Sequence, residues 1–154
     1  MPIHLTTEDH ECSRHVNKTI HRFLFEDLNS WAGQIRKINI SKKGTRFCPS
    51  EEIESHASRV FARLHSRELF TNLDRSEFLS EIVDFYSITN HLHPFREGNG
   101  RTQRVFITQL IHNAGYANFD FADVDGGLLM IATIQSANGV TDLLNGLFEQ
   151  LIQA

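Results

Sequence analysis

Apolar side chains recur at steps of three and four along nearly all of the 154 residues, a spacing that commits the chain to amphipathic helices burying one face each. From Val16, the positions Ile20, Phe23, Leu24, Leu28 and Trp31 predict a first helix that stops near Gly33. Ile53, Ala57, Val60, Phe61 and Leu64 predict a second behind Ser50, read as its N-cap, with Glu51 and Glu52 in the first turn. Asp74 with Glu77 three residues later reads as the capped start of a third, which Phe78, Ile82, Phe85 and Tyr86 carry toward His91. Phe106, Leu110, Ile111 and Ala114 mark a fourth, closed by Gly115. Two more are expected, around Leu128 to Ile134 and from Val140 to Ile152. About six helices make the fold mainly α, and the length suits a single domain, 1–154, around one core.

One stretch departs from helical spacing. Ile35 to Ile40 carries β-branched residues in partial alternation, followed by Ser41-Lys-Lys-Gly44 and Thr45-Arg-Phe-Cys48. That pattern predicts a short β-hairpin over 35–48, turning near Gly44 and ended by Pro49. A hairpin this small cannot stand alone in water, so it must lean on the helices. With Lys42, Lys43 and Arg46 exposed, it reads either as a simple connector or as a basic flap beside a site.

Composition excludes more than it assigns. A formal net charge of −4 gives no reason to expect a nucleic-acid or anionic-membrane binder. No apolar run approaches the ~20 residues of a membrane span. Cys12 and Cys48 form no CxxC pair, which fits a reducing, cytoplasmic setting better than a disulfide scaffold. Nine histidines invite a metal reading, yet only His91 and His93 are closely spaced, and no zinc-ligand framework accompanies them. Most histidines are therefore expected at the surface.

The stretch that carries chemistry runs from His93 to Arg104. Pro94 disfavours helical backbone at His93, so the third helix should end there. Gly98, Asn99 and Gly100 all tolerate positive φ, and apolar helical spacing resumes at Val105. A helix, a glycine-rich turn and a new helix point backbone N–H groups into a concavity, to which the second helix adds its N-terminal partial positive charge. Such a place binds phosphate. Arg101 and Arg104, one turn apart at that helix start, need a compensating anion, and guanidinium forks match phosphate. Glu97 is placed to hold Mg²⁺ beside bound phosphates. His93 has a side chain suited to taking a proton from a hydroxyl nucleophile. Phe95, among polar neighbours, is expected to point into the core and fix the loop. The pattern is not the P-loop, which requires Gly-Lys-Ser/Thr after a strand.

His93-Pro-Phe95-Arg-Glu97-Gly98-Asn99-Gly100-Arg101-Thr-Gln-Arg104 resembles the complete signature of the Fic (filamentation induced by cyclic AMP) family, His-x-Phe-x-Asp/Glu-Gly-Asn-Gly-Arg-x-x-Arg. Upstream, the stretch from Ile20 to Arg36, with its Trp31-Ala-Gly33 corner, is similar to the helix and corner that precede that family's flap. The resemblance covers roughly Ile20 to Leu147. It implies a mainly α enzyme that transfers AMP from Mg-ATP to a Ser, Thr or Tyr hydroxyl of a target protein. By position, His93 would be the general base and Glu97 the Mg²⁺ ligand. The Gly98-Asn99-Gly100 amides and the Asn99 side chain would form the anion hole, with Arg101 and Arg104 on the distal phosphates. The flap, with Lys42, Lys43, Gly44, Thr45, Arg46 and Phe47, would align a target segment by strand addition.

Gly98 and Gly100 favour adenylylation over Doc-type kinases, whose centre reads Ala-Asn-Lys, and over phosphocholine-transferring relatives. A transferase using another nucleotide donor and a catalytically silent nucleotide-binding module are the competing readings. Many family members carry an inhibitory helix, Ser/Thr-x-x-x-Glu-Gly/Asn, whose Glu pairs with a motif arginine. No such pattern stands in either terminal stretch here, where Glu149 is followed by Gln150. The resemblance therefore implies, as one option, a toxin-type bacterial protein inhibited in trans by a small antitoxin.

Overall fold

The computed structural model describes residues 10–153, with side chains described from 17 onward. Six helices appear in chain order: α1 (His10–Phe25), α2 (Ile53–Ser66), α3 (Arg75–Leu92), α4 (Asn99–Asn113), α5 (Gly126–Ala137) and α6 (Asp142–Leu151). Two very short strands, β1 (Ser41–Lys42) and β2 (Thr45–Arg46), pair antiparallel between α1 and α2. The mainly α fold with a small hairpin is as the periodicity predicts. Helix α3 is the centre: it packs against α2, α4, α5 and α6, while α1 lies across α2 and α4.

Apolar spacing places the core. Ile82, Val83, Phe85 and Tyr86 of α3 are buried in one core, where Phe85 meets Phe61 of α2 and Phe106 of α4. Phe61 and Phe106 meet edge to face at 5.8 Å, an arrangement that aromatic quadrupoles favour. Asp74 caps α3 by accepting the Glu77 N–H at 2.9 Å, as its spacing predicts. Gly115, with φ +106, closes α4 as expected.

Three expectations are corrected. The first helix ends at Phe25, well short of Gly33, and Phe23 (62% exposed), Leu24 and Leu28 (74% exposed) face outward. Ile20 and Phe25 carry its buried face, and the chain then turns through Trp31 to a left-handed Gly33. Ser50 is not the N-cap of α2. It opens a 3-10 turn, Ser50–Glu52, and no side chain caps either start. Pro49 supplies the extended residue before that turn. Strand pairing covers far less than 35–48, because the Arg36 side chain turns inward and takes the Ile38 carbonyl at 2.7 Å, holding that segment off any ladder. Among the described residues no helix is long and apolar enough to cross a membrane.

Candidate active site

The loop between α3 and α4 is built by its own side chains. Helix α3 ends at Leu92, and His93 takes left-handed backbone, φ 42 and ψ 61, just before Pro94. Phe95 is 1% exposed and points into the interior as expected. The Asn99 side chain reaches back to it, accepting the Phe95 N–H at 2.8 Å and donating to the Phe95 carbonyl at 2.7 Å. This amide is therefore bonded within the loop, at the start of α4. Of the three residues read as tolerant of positive φ, only Gly98 uses it, at +77; Asn99 and Gly100 are already the first turn of α4.

The start of α4 is open. No side chain caps it, so the Asn99, Gly100 and Arg101 amides have no intrahelical acceptor. Arg101 is exposed one turn before Arg104, and the Arg104 guanidinium folds back over the Gly100 Cα face. A Cβ on Gly100 would stand 3.1 Å from Arg104 Nη1, a flexible neighbour that can give way. The Glu97 carboxylate is exposed, with no hydrogen-bond or ion-pair partner among the described residues. A free, hard oxygen donor beside unpaired helix amides fits Mg²⁺ held jointly with phosphates.

His93 is half-buried at the loop's entrance. Its Nδ1 lies 3.1 Å from the Asn90 carbonyl, which can only accept, so Nδ1 carries the hydrogen and Nε2 keeps its lone pair. Burial is the largest cause lowering its pKa, to about 4. The Asn90 carbonyl opposes the shift, while the Arg36 and Lys42 charges add to it. The imidazole is thus neutral at physiological pH, the form a general base requires.

Two residues that the sequence left without a role hold this geometry. His21 of α1 is fully buried and stacks on Phe95 at 3.9 Å between ring centres. Its Nε2–H donates to the Glu97 carbonyl at 2.7 Å, and its Nδ1 accepts the Gly33 N–H at 2.8 Å. One neutral imidazole thereby ties α1, the Trp-Ala-Gly corner and the motif loop together. Arg36, 2% exposed, donates to the carbonyls of His93 (2.7 Å), Ile38 (2.7 Å), Cys48 (2.5 Å) and Leu92 (3.4 Å). Its cation sits on the carbonyl end of α3, where the helix dipole is negative. The signal in the sequence was the spacing from Trp31-Ala-Gly33 to Arg36, which places both near one corner.

The hairpin lies beside His93, on which its Phe47 ring stacks. Lys43 (φ 50) and Gly44 (φ +79) make a two-residue turn with both φ positive, the form that matches strand twist. Lys42, Lys43, Gly44 and Arg46 are exposed, and Thr45 is half-buried. Lys43 Nζ reaches Met130 Sδ of α5 at 2.8 Å. Phe47 departs from the other flap residues, because its ring turns inward onto His93.

Among the described residues, one ligand-like group lies outside the loop. Cys48, Glu52 and His56 bring one donor atom each within 4.8 Å of one another, a grouping that the spacing of histidines did not predict. Burial and the Glu52 carboxylate push the Cys48 thiol pKa up, while the Arg36 charge opposes them.

The chain is similar to known proteins along most of its length. The protein adenylyltransferase VbhT of Bartonella schoenbuchensis is 38% identical over 133 residues, covering 86% of this chain and 28% of the relative. The probable protein adenylyltransferase y4lH of Sinorhizobium fredii is 39% identical over 123 residues, 79% of this chain and 64% of that protein. The chain thus spans less than two thirds of either. Among solved structures, the N-terminal Fic domain of a putative cell filamentation protein from Bartonella quintana, with bound ADP, superposes with a TM-score of 0.84. It is 28% identical and covers 90% of this chain, which spans 72% of it. A family model described as Fic/DOC matches residues 12–111, from within α1 through the motif and into α4, and the chain belongs to that family.

Proposed function

We propose that the chain is a protein adenylyltransferase that moves AMP from Mg-ATP to a Ser, Thr or Tyr hydroxyl of a target protein. The carrying observation is the pairing of a neutral His93, with Nε2 free, and an uncapped α4 start bearing Arg101 and Arg104. The relatives' names as adenylyltransferases and the ADP-bound neighbour support the same reading.

In this reading the Asn99, Gly100 and Arg101 amides and the α4 dipole receive phosphate oxygens, while Arg101 and Arg104 orient the distal phosphates. Glu97 would hold Mg²⁺, which when bound supplies charge neutralisation on the leaving phosphates. His93 Nε2 takes the hydroxyl proton as the target oxygen bonds to the α-phosphorus. The bond from that phosphorus to the bridging oxygen breaks, and pyrophosphate leaves. Positioning and charge stabilisation do most of the work in such a transfer. The basic flap tip, Lys42 to Arg46, aligns the target segment beside His93. Regulation in trans by a small antitoxin chain carrying an acidic helix against the motif arginines belongs to the same proposal.

The test uses ATP radiolabelled at the α or the γ phosphorus, with Mg²⁺ and a bacterial lysate, comparing the unaltered chain with His93→Ala. Protein label from the α position alone, lost by roughly 10²-fold or more in the variant, is expected for a general base. Label from the γ position, or label retained without His93, overturns the reading.

A further inference from the structure

The aromatic ring of Phe47 lies flat on the imidazole of His93, with centres 3.7 Å apart and planes 9° from parallel. This is the one flap residue that gives its side chain to the site instead of to solvent. Its neighbour Cys48 donates its N–H to the His91 carbonyl at 2.9 Å, seating the second strand of the flap on the end of α3. Arg36 completes the attachment. One guanidinium grips Ile38 and Cys48, on either side of the hairpin, together with the His93 carbonyl. The flap's base and the backbone of the proposed base therefore share one buried cation. His93 needs such support, because left-handed backbone is unfavourable for a non-glycine residue and persists only where its surroundings hold it.

We propose that Phe47 is a positioning residue for His93: seating the flap lays its ring on the imidazole, which aims Nε2 into the site and keeps water off one ring face. The inference rests on the transferase reading for its significance, but its geometry stands apart from it. A target segment pairing with the flap would therefore meet a base that the same hairpin already holds in place.

The groups facing His93 define what the ring controls. Arg36 from the segment before the flap and Lys42 from β1 are both cationic, and only the Asn90 carbonyl favours the charged imidazolium. Without the ring, water reaches the imidazole and can solvate its charged form. A merely structural Phe47 would stabilise the fold without altering where His93 titrates.

The experiment follows the histidine ring signals by NMR through an acid titration of the full chain, without nucleotide or target, using His93→Ala to assign the signal. In the unaltered chain His93 should stay neutral down to about pH 4. Phe47→Leu keeps apolar bulk but no ring, and its His93 midpoint should rise by roughly one pH unit or more toward the ordinary value. Phe47→Tyr keeps the ring and should stay near the unaltered midpoint. The His21 signal reports an intact loop in each variant, and Phe47→Met replaces the leucine variant should that chain lose its fold. A leucine or methionine variant titrating at the unaltered midpoint, or a tyrosine variant moving as far as leucine, overturns the proposal. Because no transfer is read, a chain that shows these shifts but no labelling would sink the reaction reading alone.

Discussion

Gly98 and Phe25 touch so closely that a Cβ on Gly98 would overlap the ring at Cε2 and Cζ and stand 3.1 Å from Cδ2. This glycine of the α3–α4 loop is thus fixed from α1, some seventy residues upstream in sequence, as much as by its own φ of +77. Gly98→Ala should therefore fail twice. Left-handed backbone costs an alanine roughly 1–2 kcal/mol, and overpacking the Phe25 contact adds about 1–3 kcal/mol. Urea unfolding of Gly98→Ala, Phe25→Leu and the double variant separates the two costs. The double variant should recover the packing part only. If Phe25→Leu restores nothing, the ring is not what excludes a side chain there.

Arg36 carries the second prediction. It is buried, and its bonding partners are carbonyls rather than a carboxylate. Removing it leaves those oxygens without donors and the end of α3 without its counter-charge. Arg36→Met should lose at least about 1–3 kcal/mol, the cost of a buried carbonyl left without its donor. Arg36→Lys should recover little, since an ammonium cannot spread its donors across four carbonyls as a planar guanidinium does. Denaturant midpoints at equal m-value check both, and a lysine variant as stable as the unaltered chain would contradict the account.

Acid should weaken this protein before its carboxylates titrate. Burial lowers the pKa of His93, to about 4, and also that of His21, against an unfolded value of 6.5. Between those values the unfolded chain binds protons that the folded chain does not. Stability is then full above the unfolded pKa and falls as pH drops through 6.5 toward about 4. For His93 the loss amounts to no more than about 3.5 kcal/mol, at ~1.4 kcal/mol per pH unit of difference. His21 contributes in the same direction, because protonating its Nδ1 breaks the bond from Gly33 N–H. Unfolding at about pH 7.5 and about pH 5 measures the slope, and His93→Ala should flatten it in part. A pH-independent midpoint over that window would mean that neither imidazole is held neutral.

The helices and the loop between α3 and α4 were legible in the sequence because each rests on local rules. Apolar steps of three and four gave Phe78 to Tyr86 and Phe106 to Ile111 their buried faces, and Asp74 announced a cap. What escaped were relations across the chain. Phe23, Leu24 and Leu28 fit the helical period yet face outward, because α1 stops at Phe25 to let the corner fold back over His21. Arg36 reads as a surface charge until four carbonyls from two segments converge on it. Phe47 reads as a flap residue until its ring is seen on His93. Periodicity reports which face an element buries, not which distant group it meets.

Asn99 offers the sharpest test of how the loop is held. Its side chain is 8% exposed and makes a two-way bond with the Phe95 backbone, accepting at Oδ1 and donating at Nδ2. Asn99→Asp keeps shape and the acceptor but replaces the donor with an oxygen facing the Phe95 carbonyl. It also sets a negative charge at the mouth of the proposed phosphate cradle. The expected cost is about 1–3 kcal/mol in stability, for a buried carbonyl left unpaired, and a larger fall in ATP affinity from charge repulsion. Asn99→Ser removes both bonds without adding charge, so it should match or exceed the stability loss while sparing more of the affinity. Calorimetric ATP binding beside thermal unfolding reads both quantities. If the serine variant loses as much affinity as the aspartate, the lost amide and not the added charge carries the effect. If the aspartate alone loses affinity, the side chain is a strut, and the anion is left to the backbone of α4.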